Sequence, residues 1–176
     1  TRLELKGVNA NVSVGASGGG SATLIVKDGA LLTQEGSSWS QLTVGEIHSQ
    51  GAMEILGGGQ VSGARSVNIG SGGTGSLLID GAGSLLSTER SGSFVGQLNV
   101  GPSGSGMLTV RNGGQASAFA LQIGNGYGAD RGEVLLEGVG SRIDADAVDW
   151  HRLAISKGSL TVAGGAVFDA TLNAAA

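Results

Sequence analysis

The sequence contains no cysteine, a single proline and only 3% aromatic residues, and these shortages exclude several classes of protein. Without cysteine, the chain has neither disulfide bonds nor thiolate metal sites. With almost no proline and no glycine at every third position, its 35 glycines do not indicate collagen. A helical bundle is disfavoured, since glycine costs about 0.5–1 kcal/mol at an interior helix position. Because hydrophobic residues reach 40% and charged residues only 14%, we expect a folded chain.

The charge balance and length set further limits. A formal net charge of -4 and a pI near 5.0 argue against a nucleic-acid partner. No run of 18 apolar residues occurs, so no transmembrane helix is predicted. The 176 residues fit one domain, and the chain begins at Thr1 without a signal peptide. We therefore expect residues 1–176 to be one segment of a longer protein.

A tetrad of the form hydrophobic-x-hydrophobic-Gly recurs along the chain. The copies are VSVG (Val12–Gly15), LTVG (Leu42–Gly45), VNIG (Val67–Gly70), LNVG (Leu98–Gly101), LQIG (Leu121–Gly124) and LAIS (Leu153–Ser156), in which serine replaces glycine. Successive copies are separated by 30, 25, 31, 23 and 32 residues, so long and short spacings alternate. The underlying period is therefore about 55 residues and contains two unequal half-units.

Each half-unit also carries a second alternating hydrophobic run and a closing glycine, as in LTV (Leu108–Val110). Alternation over three to five residues between glycines is typical of short β-strands. Such strands bury an apolar side only when coils stack, so that similar residues meet one coil apart. We therefore predict an all-β fold, a right-handed parallel β-helix of about six coils. In this fold Val44, Ile69 and Val100 stack along one dry axis.

The long half-units hold extra residues before their tetrads, and each extension includes an aromatic residue, Trp39, Phe94 or Trp150. We favour the interpretation that these rings fill a wider corner of the coil, because large aromatic side chains dominate core packing. The alternative is that they belong to a row of exposed contact loops.

The combined pattern resembles the two-coil repeat of the passenger regions of bacterial autotransporters, the proteins of type V secretion. The matching copies are LNVGPSGSGMLTVRNGGQ (Leu98–Gln115) with LQIGNGYGADRGEVLLEGVGS (Leu121–Ser141), and LTVGEIHSQGAMEILGGGQ (Leu42–Gln60) with VNIGSGGTGSLLIDGAGS (Val67–Ser84). GSSW (Gly36–Trp39) matches the family's segment of small residues before a tryptophan. The resemblance runs from Leu3 to Phe168, and LAIS and the ending TLNAAA (Thr171–Ala176) depart from it.

The resemblance implies a non-catalytic stalk or adhesin segment that is displayed on the cell surface, anchored at the outer membrane or secreted. The implied partners are the translocator barrel of the full-length chain, a host surface glycan or protein, and further copies of the chain itself. An alternative within the family is a folding segment near the barrel that templates the coils upstream. The opening LELKG (Leu3–Gly7) is interpreted as an incomplete coil, whose unpaired edge predicts end-to-end stacking.

Six residues in the predicted exposed loops are candidates for binding: Glu89, Arg90, Asp144, Asp146, Asp149 and His151. Asp144 and Asp146 share one face of an extended run, and pairs of carboxylates can cleave glycosidic bonds. An enzymatic alternative, a polysaccharide hydrolase or lyase, would use Asp144, Asp146 or Asp149 as acid or base. We favour a solvated coil edge, because these aspartates lie in one local loop. We predict no catalytic residue, no metal site and no cofactor.

Overall fold

The structure is a computed structural model that describes residues 1–7, 10–36, 39–88, 90–91, 94–124, 131–145 and 153–170. Within these ranges the regular structure consists of β-strands, and no helix is long and apolar enough to cross a bilayer. In chain order the strands are β1 (Arg2–Gly7), β2 (Val12–Val14), β3 (Ser21–Lys27), β4 (Leu31–Gly36), β5 (Gln41–Val44), β6 (Gln50–Leu56), β7 (Gln60–Ala64), β8 (Ser66–Ile69), β9 (Thr74–Asp80), β10 (Leu85–Thr88), β11 (Arg90–Ser91), β12 (Phe94–Val95), β13 (Gln97–Val100), β14 (Ser105–Arg111), β15 (Gln115–Ala118), β16 (Ala120–Ile123), β17 (Arg131–Glu137), β18 (Arg142–Ala145), β19 (Leu153–Ile155), β20 (Gly158–Ala163) and β21 (Val167–Asp169).

Three parallel sheets form the walls of the molecule. Sheet A has the order β1-β4-β7-β10-β15-β18-β21, sheet B the order β2-β5-β8-β13-β16-β19, and sheet C the order β3-β6-β9-β14-β17-β20. The chain passes through A, B and C and then returns to A one strand further along the rod. The predicted right-handed parallel β-helix of about six coils is thereby confirmed. Among the described strands, the exception to the parallel pairing is the short antiparallel pair of β11 and β12.

The core consists of columns of aliphatic side chains that run along the rod. Val44, Ile69 and Val100 are partners in consecutive strands of sheet B, and all three are fully buried. This arrangement confirms the stacking that the tetrads predict. Sheet C contributes an equivalent buried column that contains Met53, Leu77 and Leu108. Each such burial stabilises the fold by about 1.5–3 kcal/mol, so the interior requires neither a disulfide nor a metal to hold it.

Glycine forms the corner between sheets B and C because two backbones meet there without room for side chains. Gly70 has a φ of 76°, and its N–H donates to the Val44 carbonyl of the preceding coil at 2.8 Å. At Gly75, an added Cβ would lie only 2.1 Å from that same carbonyl oxygen. The tetrad glycine and the glycine that opens the next strand are therefore two parts of one packing requirement.

The corner between sheets C and A accounts for part of the two-coil period. Between Ala30 and Ser141, the residues that directly precede the strands of sheet A are alternately a residue with a small side chain and a glycine. An added Cβ at Gly59 would lie 2.3 Å from the Val26 carbonyl oxygen. At the next coil, the Ser84 hydroxyl accepts a hydrogen bond from the Gly58 N–H at 3.1 Å and donates to the Asp80 carbonyl at 2.7 Å. Serine thus ties a four-residue turn to the shorter turn of the preceding coil.

Candidate functional site

From β4 onwards, the connections from sheet A to sheet B alternate in length along one edge of the rod, which we call the long-loop edge; the first connection, from β1 to β2, is also long. Several residues separate β4 from β5, β10 from β13, and β18 from β19. By contrast, Arg65 alone joins β7 to β8, and Phe119 alone joins β15 to β16. Because strands in a sheet are about 4.8 Å apart, the long connections recur about every 9.6 Å on this edge. The strand ends that the long connections join therefore lie along one edge.

The expectation that the aromatic residues fill the corner is wrong for Trp39. Its side chain is 66% exposed, and the Arg65 guanidinium carbon lies 5.7 Å from the centre of its ring. An arginine at this distance from an indole face is a cation–π contact. The side chain of Phe94 and all of Trp150 lie outside the part of the chain that the structure describes. Phe119, which sequence reasoning overlooked, is half-buried on the same edge.

Polar side chains occupy the corner that Trp39 was expected to fill. Gln34 is only 1% exposed, and its amide nitrogen donates to the carbonyls of Ala10 at 2.5 Å and Gln41 at 3.0 Å. The backbone N–H of Gln41 in turn donates to the Asn11 side-chain oxygen at 3.0 Å. The amide nitrogen of this buried side chain is thus satisfied, whereas its amide oxygen has no hydrogen-bond partner among the described residues. These contacts fix the start of β5 and leave the tryptophan ring outside.

The predicted acidic site is seen only in part. Asp144 lies on β18 with its side chain on the outer face of sheet A, whereas Glu89, Asp146, Asp149 and His151 fall outside the described residues. Arg90 lies on β11, where it pairs with Val95 of β12, and its side chain is likewise outside the described part. The proximity that the sequence predicts between Asp144 and Asp146 thus stays a prediction.

The structure instead brings Asp144 together with Asp169, a residue that the sequence analysis did not select. They are partners in β18 and β21, and Arg142 bridges them, with nitrogen–oxygen distances of 2.6 Å to Asp144 and 2.5 Å to Asp169. Desolvation opposes the charge on Arg142, but the hydrogen bonds to Asp169 and Asp144 and the negative charges of these two aspartates together outweigh it and raise the pKa of the guanidinium. The repeat phase could have indicated Asp169, since it occupies the position of Asp144 one coil later.

This cluster has the chemistry of a link between coils. Two carboxylates that share one arginine form a partly exposed ion-pair network, which fastens β21 to β18. A hydrolase of the glycosidase type would require one of its two carboxyl groups to hold a proton for the leaving group. Among the described residues, no group of three or more His, Cys, Asp or Glu side chains could hold a metal ion.

Two asparagines lie side by side on the outer face of sheet B. Asn68 and Asn99 occupy equivalent positions in β8 and β13, and the Asn99 amide nitrogen donates to the Asn68 oxygen at 2.9 Å. The same nitrogen lies 3.3 Å from the Ser66 hydroxyl. The outward position of the tetrad is therefore used to connect coils through side-chain hydrogen bonds.

These observations define the molecule as a parallel β-solenoid with loops concentrated along one edge. No protein-family model and no solved structure matches the chain. In an alignment of 104 residues that covers 56% of the chain, it is 35% identical to a protein of Escherichia coli (strain K12) that carries the description "Uncharacterized protein YuaQ". The matched part makes up 7% of YuaQ, so the chain corresponds to a small portion of this relative.

Proposed function

We propose that the chain is a non-catalytic segment of an autotransporter-type passenger, displayed on the cell surface, and that it acts as a stalk in adhesion or self-association. The observation that carries this proposal is the difference between the interior and the exterior of the rod. The interior is a continuous aliphatic column in which Leu42, Val67 and Leu98 are fully buried. The exterior carries loops and side chains that recur at every second coil.

A rod of this type gains length by adding coils, because each coil contacts only its neighbours and supplies its own part of the core. The match to a small portion of a much longer relative is consistent with coils of this kind inside a long protein. Export favours the same composition, since a chain without cysteine forms no premature disulfides during passage. These features support display at a distance from the cell better than they support an enzyme.

The proposal is tested on intact cells of the native host that produce the parent protein. An antibody raised against this chain is expected to label unbroken cells, and brief treatment with an external protease is expected to remove the label. An antibody against a cytoplasmic protein serves as the control for cell integrity. Labelling of the chain only after lysis would refute surface display.

The non-catalytic part of the proposal has a separate test. The purified chain is incubated with a panel of neutral, acidic and amino-sugar polysaccharides, and new reducing ends and unsaturated products are measured. We expect no product above the level of a heat-denatured control. Product formation that disappears in an Asp146→Asn or Asp144→Asn variant would establish the enzymatic alternative.

A further inference from the structure

One row on the outer face of sheet C carries an apolar side chain at every second coil. We define the sheet C face as the outward side chains of β3, β6, β9, β14 and β17. Along its middle row Ile25, Leu78 and Leu135 alternate with Glu54 and Thr109. Ile25 is half-exposed, and so is Met107 in the adjacent row. Apolar side chains that are grouped on an exposed face, with polar residues around them, are typical of an interaction surface.

Counted outward from β9, the middle strand of this face, polar and apolar positions follow in the same order in both directions. A two-fold axis along β9 keeps each position along the strand and reverses the order of the coils. It places Ile25 opposite Leu135 of a second copy, and Leu78 opposite Leu78 of that copy. Once the axis is placed on β9, the register of the four strand pairs fixes these matches. A closed, self-complementary contact of this kind is the commonest geometry of homodimers.

The same axis also matches charge and shape. Lys27 on β3 and Glu137 on β17 share the row that ends the strands, so each faces the other across the axis. The Lys27 ammonium is largely exposed and lies 3.8 Å from Asp28, at the outer limit of an ion pair. In the neighbouring row, the axis places the half-exposed Met107 opposite the small side chain of Ala52. Opposite charges and a large side chain over a small one are what a specific interface needs.

One possible conflict lies in the row that ends the strands, and it is neutralised within the chain. Asp80 lies on the axis and would approach Asp80 of the second copy. Its two carboxylate oxygens, however, accept hydrogen bonds from Arg111 and from Asn112, both at 2.8 Å. These contacts reduce the repulsion across the axis, since each aspartate arrives paired with a cation.

The face is large enough to support a dimer. Its strands have seven residues each, which at about 3.3 Å per residue gives a width of about 23 Å. Five strands at about 4.8 Å span about 24 Å along the rod. The two copies together would cover about 1,100 Å², which is near the lower limit of specific interfaces, about 1,000–1,200 Å².

From this geometry we propose that the sheet C face is a homodimer interface, in which two copies pack face to face with opposite coil order. The proposal rests on the self-association part of the proposed function and names its contact surface. The occupant is a second copy of the chain, because the complementarity of hydrophobic positions, charge and side-chain size arises from the face itself.

The experiment measures the molar mass of the purified chain by sedimentation velocity between 1 and about 200 μM, a range that covers the affinities of weak interfaces. The wild type is expected to form a dimer in this range. Lys27→Glu and Glu137→Lys are each expected to weaken it at least tenfold, because each places like charges in contact twice per dimer. An equimolar mixture of the two single variants is expected to recover the wild-type dimer, since each altered residue then meets an opposite charge.

The control substitutions leave the sheet C face unchanged. Gln60→Glu and Gln115→Lys introduce the same charges on the outer face of sheet A, where both glutamines are exposed, and are expected to leave the dimer unchanged. Far-UV circular dichroism confirms that every variant remains folded. Leu78→Arg, on the axis, is expected to abolish the dimer through repulsion of two facing cations.

The possible failures are distinguishable from one another. A wild-type chain that stays monomeric throughout the range refutes both the interface and self-association. Association that persists in Lys27→Glu, Glu137→Lys and Leu78→Arg refutes this face but leaves self-association standing, for example by stacking at the ends. Weakening by the single variants without recovery in their mixture refutes the reversed coil order.

Discussion

The glycine corner between sheets B and C provides the most direct test of the fold, and Gly106→Ala is the sharpest perturbation. An added Cβ at Gly106 would lie 2.2 Å from the Ile69 carbonyl oxygen and 2.3 Å from the Gly101 nitrogen. These two atoms form the hydrogen bond of 2.7 Å that joins one coil to the next. Since non-bonded carbon contacts are about 3.5–4.0 Å, the backbones must separate by more than 1 Å and the hydrogen bond is lost.

The expected loss of stability follows from three contributions. A buried hydrogen bond that is broken costs about 1–3 kcal/mol, and the strain of an overpacked site costs about 1–3 kcal/mol. Alanine also restricts the unfolded chain, which offsets the loss by about 0.4–1 kcal/mol. We therefore expect Gly106→Ala to lower the free energy of unfolding by about 2–4 kcal/mol. This loss comes from the lack of space for a Cβ and not from backbone strain, because φ at Gly106 is not positive.

Gly20→Ala is the matched control for this experiment. Gly20 also lacks a positive φ, but an added Cβ there meets no atom within 4 Å. The control is expected to leave the stability unchanged or to raise it by up to about 1 kcal/mol. Urea unfolding, followed by far-UV circular dichroism and extrapolated to water, gives both values. If the free energies of unfolding of Gly106→Ala and Gly20→Ala differ by less than about 0.5 kcal/mol, the inference that the backbone at Gly106 leaves no room for a side chain is wrong.

Three further substitutions, one of them with a control, test the core, the turn between sheets C and A, and the hydrogen bonds of Asp80. Leu98→Ala removes a fully buried side chain and is expected to cost about 2–5 kcal/mol in urea unfolding, whereas Val139→Ala, at an 82% exposed position, should change stability by less than about 0.5 kcal/mol. Ser84→Ala deletes the hydroxyl that links two coils and is expected to cost about 1–2 kcal/mol by the same assay, and an unchanged midpoint would contradict that role. A hydrogen bond from Asn112, with a further contribution from Arg111, holds the pKa of Asp80 below its usual value of 3.8. Its stabilisation is therefore present above that value and lost as the pH falls through the lower folded pKa. Asp80→Asn should thus be less stable than wild type by about 1 kcal/mol or less at pH 6, and the difference should shrink as the pH is lowered from 6 to 2. Unfolding curves of the two proteins that keep a constant separation across this pH range would contradict the assignment.

The long-loop edge illustrates where inference from the sequence reached its limit. The unequal half-units correctly indicated that extra residues lie at one corner of alternate coils. Whether Trp39 points into that corner depends on what else fills it, and the buried amide of Gln34 takes the space. A glutamine in an apolar run gives no local sign of burial, because its stability depends on carbonyls contributed by other segments.

The cluster around Arg142 shows a second limit. Asp144 was selected because other acidic residues follow it closely in the sequence. Its observed neighbour, Asp169, lies 25 positions away along the chain and is adjacent only through the register of β18 and β21. Register depends on the lengths of the turns between strands, so the contacts of an outward side chain are set by the whole coil rather than by its neighbours in sequence.

The amino-acid sequence by itself determined the period, the identity of the inward columns and the need for glycine at the corner. Those features follow from alternation along a strand and from repetition along the rod, both of which depend on residue type alone. The tertiary structure decided which polar groups are buried, which aromatic ring is exposed and which charges meet across coils. The physical reason is that these contacts join residues from different coils, and only the stacking of coils brings their atoms within reach of one another.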